Sequence, residues 1–213
     1  MGSLLKHDLN KLISDYGLEN YVETGTGQGE CLSHALKFPF DMCFSVEIYD
    51  QIYFAAKEKF ETLSELYHKD CYLFHGESTE KLPEILEELD DEPVLFFLDA
   101  HFPGADFKYE KYDAVEDEDI RVPLKKELKI IQEMRDTSRD VFIIDDLWLY
   151  EDGEYESGNL QDHLDKHFPN MGYTRKKLSG GQTSEFIHEM FSSTHNIEVD
   201  KRDQGYLLMF PKE

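Results

Sequence analysis

The chain has few basic side chains for its length. Its 213 residues include 22 Lys and Arg against 46 Asp and Glu, which gives a formal net charge of −24. Proteins that bind nucleic-acid backbones do so through clustered Lys and Arg, and anionic membrane surfaces attract the same residues. The charge balance therefore predicts a protein that binds neither nucleic acid nor an anionic membrane surface.

Long hydrophobic runs and paired cysteines are also missing. No run approaches the roughly 18 consecutive apolar residues that a membrane-spanning helix needs, and residues 1–6 lack the apolar run of a signal peptide. The three cysteines, Cys31, Cys43 and Cys71, are odd in number and contain no CxxC pair. This pattern is typical of a reduced chain rather than of a disulfide scaffold or a zinc site. Together these absences predict a cytoplasmic location.

Short apolar runs alternate with patterns of helical spacing along most of the chain. Apolar residues make up 40% of the sequence and aromatic residues 13%, which is enough for the core of a single domain spanning residues 1–213. The alternation predicts an α/β fold, a doubly wound, mostly parallel sheet with helices on both faces. The predicted strands are 21–22, 42–48, 71–75, 93–98, 141–144, 173–178 and 205–210. The predicted helices are 4–16, 30–37, 50–67, 79–90, 122–136, 159–168 and 184–192.

A glycine-rich segment follows the first predicted strand, at the sheet edge where such folds bind ligands. Residues 23–29 read E-x-G-x-G-x-G, and the glycines allow the backbone to approach a ligand closely. The third glycine comes one residue too early for the dinucleotide fingerprint, and no Gly-Lys-Ser/Thr follows as in a P-loop. The second strand ends at Glu47, where an acid can accept hydrogen bonds from ribose hydroxyls in a dinucleotide or an adenosyl site.

The glycine segment and Glu47 resemble the first two motifs of class I methyltransferases that use S-adenosylmethionine. In that family the glycine loop lies under the methionine part of the cofactor, and residues after the third strand contact adenine. The resemblance covers roughly residues 20–150 in the expected order and implies a Rossmann-like, seven-stranded sheet. The residues that it implies as cofactor-binding are Glu23, Thr24, Gly25, Thr26, Gly27, Gly29, Glu47, Gly76, Glu77, Ser78 and Asp99.

Acidic residues follow the fourth and fifth predicted strands. Asp99 and His101 come after the fourth strand, and Asp145 and Asp146 come after the fifth. Carboxylates crowded at one sheet edge repel one another unless a cation or a proton is present, and their oxygens suit Mg²⁺, with Mn²⁺ or Ca²⁺ as alternatives. Aspartates in such places also cap helices, but these four side chains together favour chemistry, with His101 able to take a proton.

The same two segments, Leu-Asp-Ala-His and Ile-Ile-Asp-Asp, resemble those of the macrocin-type sugar O-methyltransferases. Those enzymes place an aspartate after the fourth strand and an Asp-Asp pair after the fifth around Mg²⁺, and Asp99, Asp145 and Asp146 match these positions. Some relatives have Asp where this chain has His101. The resemblance implies methyl transfer to a hydroxyl of a sugar or glycan, with these aspartates as metal ligands. Asp99 and His101 are predicted to be the catalytic residues, His101 by its position rather than by a match to the family. It leaves the oligomeric state open, a homodimer included.

Three alternatives to a sugar methyltransferase stay open. The same fold could act on a catechol or another phenolic compound, or the chain could be a non-catalytic adenosyl-binding partner domain. An NAD-linked enzyme is a distant third, because the third glycine is misplaced.

Several further segments are ambiguous in sequence. Residues 102–121 are predicted to form an active-site loop, hinged at 102–105. His163 and His167 have the i, i+4 spacing of a metal pair, but a solvated helix face is favoured over a metal site. Trp148 and Tyr150 could stack on a sugar ring or pack in the core.

Overall fold

Seven strands form one sheet in a computed structural model that describes residues 3–212 of the chain. The strands are β1 (Asn20–Thr24), β2 (Met42–Glu47), β3 (Asp70–His75), β4 (Val94–Leu98), β5 (Val141–Ile144), β6 (His195–Asp200) and β7 (Tyr206–Pro211). Their order across the sheet is β3-β2-β1-β4-β5-β7-β6. The first five strands pair in parallel, whereas β7 runs antiparallel to both β5 and β6. This arrangement confirms the predicted Rossmann-like, mostly parallel seven-stranded sheet.

Helices cover both faces of the sheet. They are α1 (Leu9–Tyr16), α2 (Glu30–Ala35), α3 (Asp50–Tyr67), α4 (Ser78–Glu88), α5 (Glu118–Arg121), α6 (Leu124–Met134), α7 (Leu160–His167), α8 (Arg175–Leu178) and α9 (Glu185–Phe191), with short 3-10 helices at Leu4–Lys6 and Leu147–Leu149. Neighbouring strand residues point to opposite faces, so that Tyr21 and Leu95 enter one hydrophobic core and Val22 and Phe96 enter the other. Among residues 3–212, no helix combines the length and the apolar character needed to cross a membrane.

The predicted strand at 173–178 is wrong. Residues Arg175–Leu178 form the short helix α8, and the hydroxyl of Thr174 caps it by accepting a hydrogen bond from the amide of Lys177 at 3.2 Å. The sixth strand is instead β6, whose sequence His-Asn-Ile-Glu-Val-Asp lies at the sheet edge with only His195 fully buried. A largely polar, half-exposed strand lacks the apolar run by which the central strands are recognised.

The predicted helix at 4–16 is divided in two. A 3-10 turn over Leu4–Lys6 precedes α1, and Asp8 separates them by accepting a hydrogen bond from the amide of Lys11 at 3.1 Å. The apolar spacing is continuous across this break because both pieces bury residues against the same core, Leu4 and Leu9 among them.

The three central strands end level with one another. The amide of Asp99 donates to the carbonyl of Thr24 at 3.1 Å, and the amide of Asp145 donates to the carbonyl of Leu98 at 3.1 Å. These bonds continue the ladder one step past β1, β4 and β5. The residues that follow the three strands are therefore held side by side at one edge of the sheet.

Candidate active site

The glycine segment passes directly against the end of β4. Gly25 has a φ of +83°, and a β-carbon at this position would lie 2.7 Å from the carbonyl oxygen of Asp99. Its amide donates to the carbonyl of Val46 at 2.9 Å, which fixes the turn to β2 as well. Only glycine combines this left-handed conformation with so close an approach. The segment thus brings bare backbone to the edge where the central strands end.

A cavity opens above this edge of the sheet. It lies between the glycine segment, the residues after β2, β3 and β4, and the segment that leads into α6. The predicted cofactor residues that line it are Gly25, Thr26, Gly27, Glu47, Gly76, Glu77, Ser78 and Asp99. Glu23, Thr24 and Gly29 were also predicted, and they lie outside the lining.

Glu23 is buried within the sheet rather than in the cavity. Its carboxyl group accepts hydrogen bonds from the hydroxyls of Tyr21 and Ser45, both at 2.6 Å. Burial raises its pKa to about 8, although these two hydrogen bonds oppose the rise. The acid at the start of the segment therefore forms hydrogen bonds within β1 and to β2.

Glu47 faces the cavity with spare hydrogen-bonding capacity. One carboxylate oxygen accepts from the amide of Gly27 at 3.0 Å and the other from the amide of Tyr49 at 2.8 Å. Burial raises its pKa, and the amide donors oppose that rise. Each oxygen has a second lone pair, so the carboxylate can also accept from the two hydroxyls of a ribose.

Asp99, His101 and Asp146 form the one group of three potential metal ligands found among the described residues. The Nε2 atom of His101 lies 2.6 Å from a carboxylate oxygen of Asp146 and 3.3 Å from one of Asp99. Neither ring nitrogen of His101 has a hydrogen-bond partner within residues 3–212, and its side chain is only 10% exposed. Burial opposes a charge on the ring, but the facing carboxylates, that of Asp146 foremost, outweigh it and raise the pKa of His101 well above its ordinary value.

Asp145, predicted as a metal ligand, is not a member of this group. Its side chain is buried, and one of its oxygens accepts from the amide of Asp146 at 2.7 Å. Burial, together with the charges of Asp99 and Asp146, raises its pKa well above the ordinary value. Asp146 itself adopts a left-handed backbone conformation, with a φ of +52°.

The loop after β4 covers the cavity. The ring of Phe107 would lie 3.4 Å from a β-carbon on Gly27, and Tyr109 stacks on Tyr49 with ring centroids 5.4 Å apart. Asp106 of the same loop lines the cavity, and one of its oxygens lies 3.7 Å from Nδ1 of His101. The hydroxyl of Tyr112 donates to the other oxygen at 2.7 Å. The predicted active-site loop thus lies against both the glycine segment and the group formed by Asp99, His101 and Asp146.

Ser3, which precedes α1, also forms part of the cavity wall. Its amide donates to the hydroxyl of Tyr206 at 2.7 Å, and Leu4 next to it is fully buried. This contact joins the residues before α1 to the first residue of β7. Sequence patterns gave no signal for it.

Glu127 in α6 is a further buried acid near the site, and it was not among the residues predicted from the sequence. Its side chain is fully buried, and burial raises its pKa to about 7, while the nearby hydroxyls of Ser78 and Thr24 offset part of the rise. The available signal was its position, because Glu127 lies on the apolar stripe of α6 with Leu128 and Ile131.

The lesser candidates lie away from the cavity. Trp148 and Tyr150 are buried in the core and do not line it. His163 and His167 have ring centroids 4.5 Å apart, and His163 packs near Trp148. No third ligand joins this pair in the described part of the chain.

Solved structures share this fold, whereas by sequence the chain matches no described protein family and no curated protein. A Staphylococcus aureus protein, provisionally assigned as a caffeoyl-CoA O-methyltransferase, is 16% identical, with a TM-score of 0.62 over 96% of this chain and 81% of that one. A Bacillus cereus O-methyltransferase in complex with S-adenosylhomocysteine (SAH) is 14% identical, with a TM-score of 0.55 over 96% and 79%. The O-methyltransferase TomG of tomaymycin synthesis, from Streptomyces achromogenes in complex with S-adenosylmethionine, is 15% identical, with a TM-score of 0.53 over 96% and 78%. The chain therefore has the fold of class I methyltransferases.

Proposed function

We propose that the protein is an S-adenosylmethionine-dependent O-methyltransferase that acts on a hydroxyl of a sugar or glycan with the help of a divalent cation. One observation carries this proposal. A single cavity is lined on one side by the glycine segment and Glu47 and on the other by Asp99, His101 and Asp146. Methyl transfer to a hydroxyl requires such a juxtaposition of a cofactor site and a group that activates the hydroxyl.

The residues present fit the cofactor. Gly25 and Gly27 form part of the cavity wall with backbone alone, and Glu47 has free lone pairs for ribose hydroxyls. S-adenosylmethionine, when bound, supplies a methyl group that is already activated on a sulfonium. The work left to the chain is to align this group with the acceptor and to exclude water, and Phe107 of the covering loop lines the cavity for this purpose.

The residues present also fit a divalent cation. Asp99 and Asp146 would hold it with carboxylate oxygens, next to the buried nitrogen of His101, which has no hydrogen-bond partner in the described chain. The cation, when bound, would lower the pKa of a hydroxyl beside it. Two side chains of the site can take the released proton: His101, as predicted from the sequence, and Asp106 of the covering loop.

A neutral, polyhydroxylated acceptor suits the walls of this cavity. Seven of its lining residues are acidic, and none of those within the described chain is Lys or Arg. Carboxylates accept hydrogen bonds from sugar hydroxyls, whereas they repel the phosphates of nucleotide sugars and coenzyme A. The lining acids are Glu30, Glu47, Glu77, Asp99, Asp106, Asp119 and Asp146. This electrostatic argument adds to the resemblance with macrocin-type enzymes.

A catechol or another small phenol is the second candidate acceptor. The ring of Phe107 lines the cavity and offers an apolar face for an aromatic acceptor. Such a compound shares with many sugars a pair of adjacent hydroxyls and carries no phosphate. The two acceptor classes therefore differ in the flat apolar surface that they present.

Two measurements test the proposal. Calorimetry should detect SAH binding with or without divalent cation, and labelled methyl groups should then pass from S-adenosylmethionine to a neutral sugar or finished glycan, but only when the cation is present. Screening nucleotide sugars and catechols in parallel identifies the acceptor class. SAH binding without transfer to any acceptor would favour a non-catalytic partner domain. Undiminished transfer in EDTA would contradict the role of the cation.

A further inference from the structure

The imidazole of His101 lies within ion-pair distance of two carboxylates but does not form a well-directed hydrogen bond to either of them. Its Nε2 atom is 2.6 Å from Asp146 and 3.3 Å from Asp99, yet neither ring nitrogen meets hydrogen-bond geometry with any described residue. The side chain is nine-tenths buried, so that solvent does not compensate for the missing bonds. A buried polar atom without a partner is costly and indicates an additional ligand.

The spacing of these atoms matches the edges of a coordination shell. Ligands at about 2.1 Å from a metal ion lie roughly 3.0 Å apart when they are neighbours in an octahedron and about 3.4 Å apart in a tetrahedron. The two distances from Nε2, 2.6 and 3.3 Å, bracket the octahedral value, and the three ligand atoms all lie within 4.8 Å of one another. Asp145 is not a member of this group of ligand atoms, and one of its oxygens accepts from the amide of Asp146.

We propose that His101 is a direct ligand of the cation, together with Asp99 and Asp146, and that this nitrogen makes the site select a borderline transition-metal ion over Mg²⁺. Imidazole is a good ligand for Mn²⁺, Co²⁺ and Zn²⁺, and it binds Co²⁺ more tightly than Mn²⁺. Mg²⁺, in contrast, prefers oxygen ligands and retains its waters. The inference rests on the proposed function only for the use of the cation in methyl transfer, since metal binding itself can be measured without any acceptor. It also leaves Asp106 as the side chain free to take the proton.

The test measures metal binding to the full chain rather than its activity. Protein freed of metal with EDTA is titrated with Mn²⁺ and, separately, with Mg²⁺, and the bound Mn²⁺ is examined by electron spin-echo spectroscopy for coupling to an imidazole nitrogen. We expect Mn²⁺ to bind at least about 100-fold more tightly than Mg²⁺ and to show nitrogen coupling. His101→Ala should abolish the coupling and weaken Mn²⁺ binding by about 10-fold or more, and it should change Mg²⁺ binding far less.

Two controls keep the result interpretable. His163→Ala removes the i, i+4 histidine pair of α7, which is another place where a transition metal could bind imidazole, and it should leave the nitrogen coupling intact. Should His101→Ala fail to fold, the coupling in the unaltered protein and in His101→Gln still decides the matter.

Three results would overturn the inference. They are an absence of nitrogen coupling in the unaltered protein, persistence of the coupling in His101→Gln, and Mg²⁺ binding as tight as Mn²⁺ binding. SAH calorimetry on the same samples separates the two proposals, because loss of SAH binding contradicts the proposed function and leaves the metal assignment standing.

Discussion

Gly25 offers the sharpest test of how the glycine segment is built. A β-carbon here would lie 2.7 Å from the carbonyl oxygen of Asp99 and 3.0 Å from the amide nitrogen of Ala100, both of them backbone atoms at the end of a buried strand. The left-handed conformation costs an alanine about 1–2 kcal/mol. Forcing the strand end apart adds about 1–3 kcal/mol, as for other overpacked sites. Gly25→Ala should therefore destabilise the fold by about 2–5 kcal/mol.

Gly17 provides the matched control. It has a φ of +64° at the end of α1, and a β-carbon there meets nothing within 4 Å. Gly17→Ala should thus show the conformational cost alone, about 1–2 kcal/mol. Urea unfolding of both variants gives the contribution of the close contact by difference. Calorimetry should show SAH affinity reduced about 10-fold or more in Gly25→Ala only, because Asp99 moves with the loop. Equal destabilisation and equal SAH affinity in the two variants would refute this reasoning.

Three further predictions concern neighbouring groups. Glu47→Gln removes a charged hydrogen-bond acceptor worth about 1.5–3 kcal/mol, so calorimetry should show SAH affinity lowered about 10- to 100-fold, whereas Glu58→Gln on the exposed face of α3 should leave it unchanged. Glu23 has a pKa raised by burial to about 8, above its ordinary value of 4.5, so the folded chain retains a proton that the unfolded chain loses between these values. Stability should therefore fall by up to several kcal/mol as the pH rises from 4.5 to 8, as measured by urea unfolding, and Glu23→Gln should flatten this dependence; parallel pH profiles would contradict it. Tyr109→Ala removes the stack on Tyr49, worth about 1 kcal/mol, and should speed SAH dissociation severalfold in stopped-flow measurements, whereas Tyr109→Phe should not.

The central strands could be predicted from sequence because burial on both faces leaves a continuous apolar run. β4 is the clearest case, with all five of its residues buried. The sixth strand could not be predicted in this way. β6 lies at the edge and alternates polar with apolar residues, while Tyr173 is buried without belonging to any strand. Local composition around Tyr173 therefore favoured a strand that tertiary packing does not form.

The location of the candidate site followed from topology, and its details depend on side-chain directions that topology does not determine. Parallel strands end at one edge, so the meeting of Asp99, His101 and Asp146 could be anticipated. Asp145 is buried and Asp146 has a left-handed backbone, and an Asp-Asp pair gives no signal of either feature. Glu127 was recognisable only by its place on the apolar stripe of α6. The catalytic and ligand roles of these residues remain predictions.

The hydrogen bond between Ser3 and Tyr206 links residues 203 positions apart and has a consequence for the order of folding. Ser3 forms part of the cavity wall, and it bonds there to β7, which follows β1 to β6 along the chain. Contacts of such long sequence separation form late, because the entropy of closing the intervening chain must be overcome first. We therefore expect a nascent chain that has completed β1 to β5 to have most of its sheet but not a closed cavity. Competence to bind cofactor would then depend on β7 having joined the sheet.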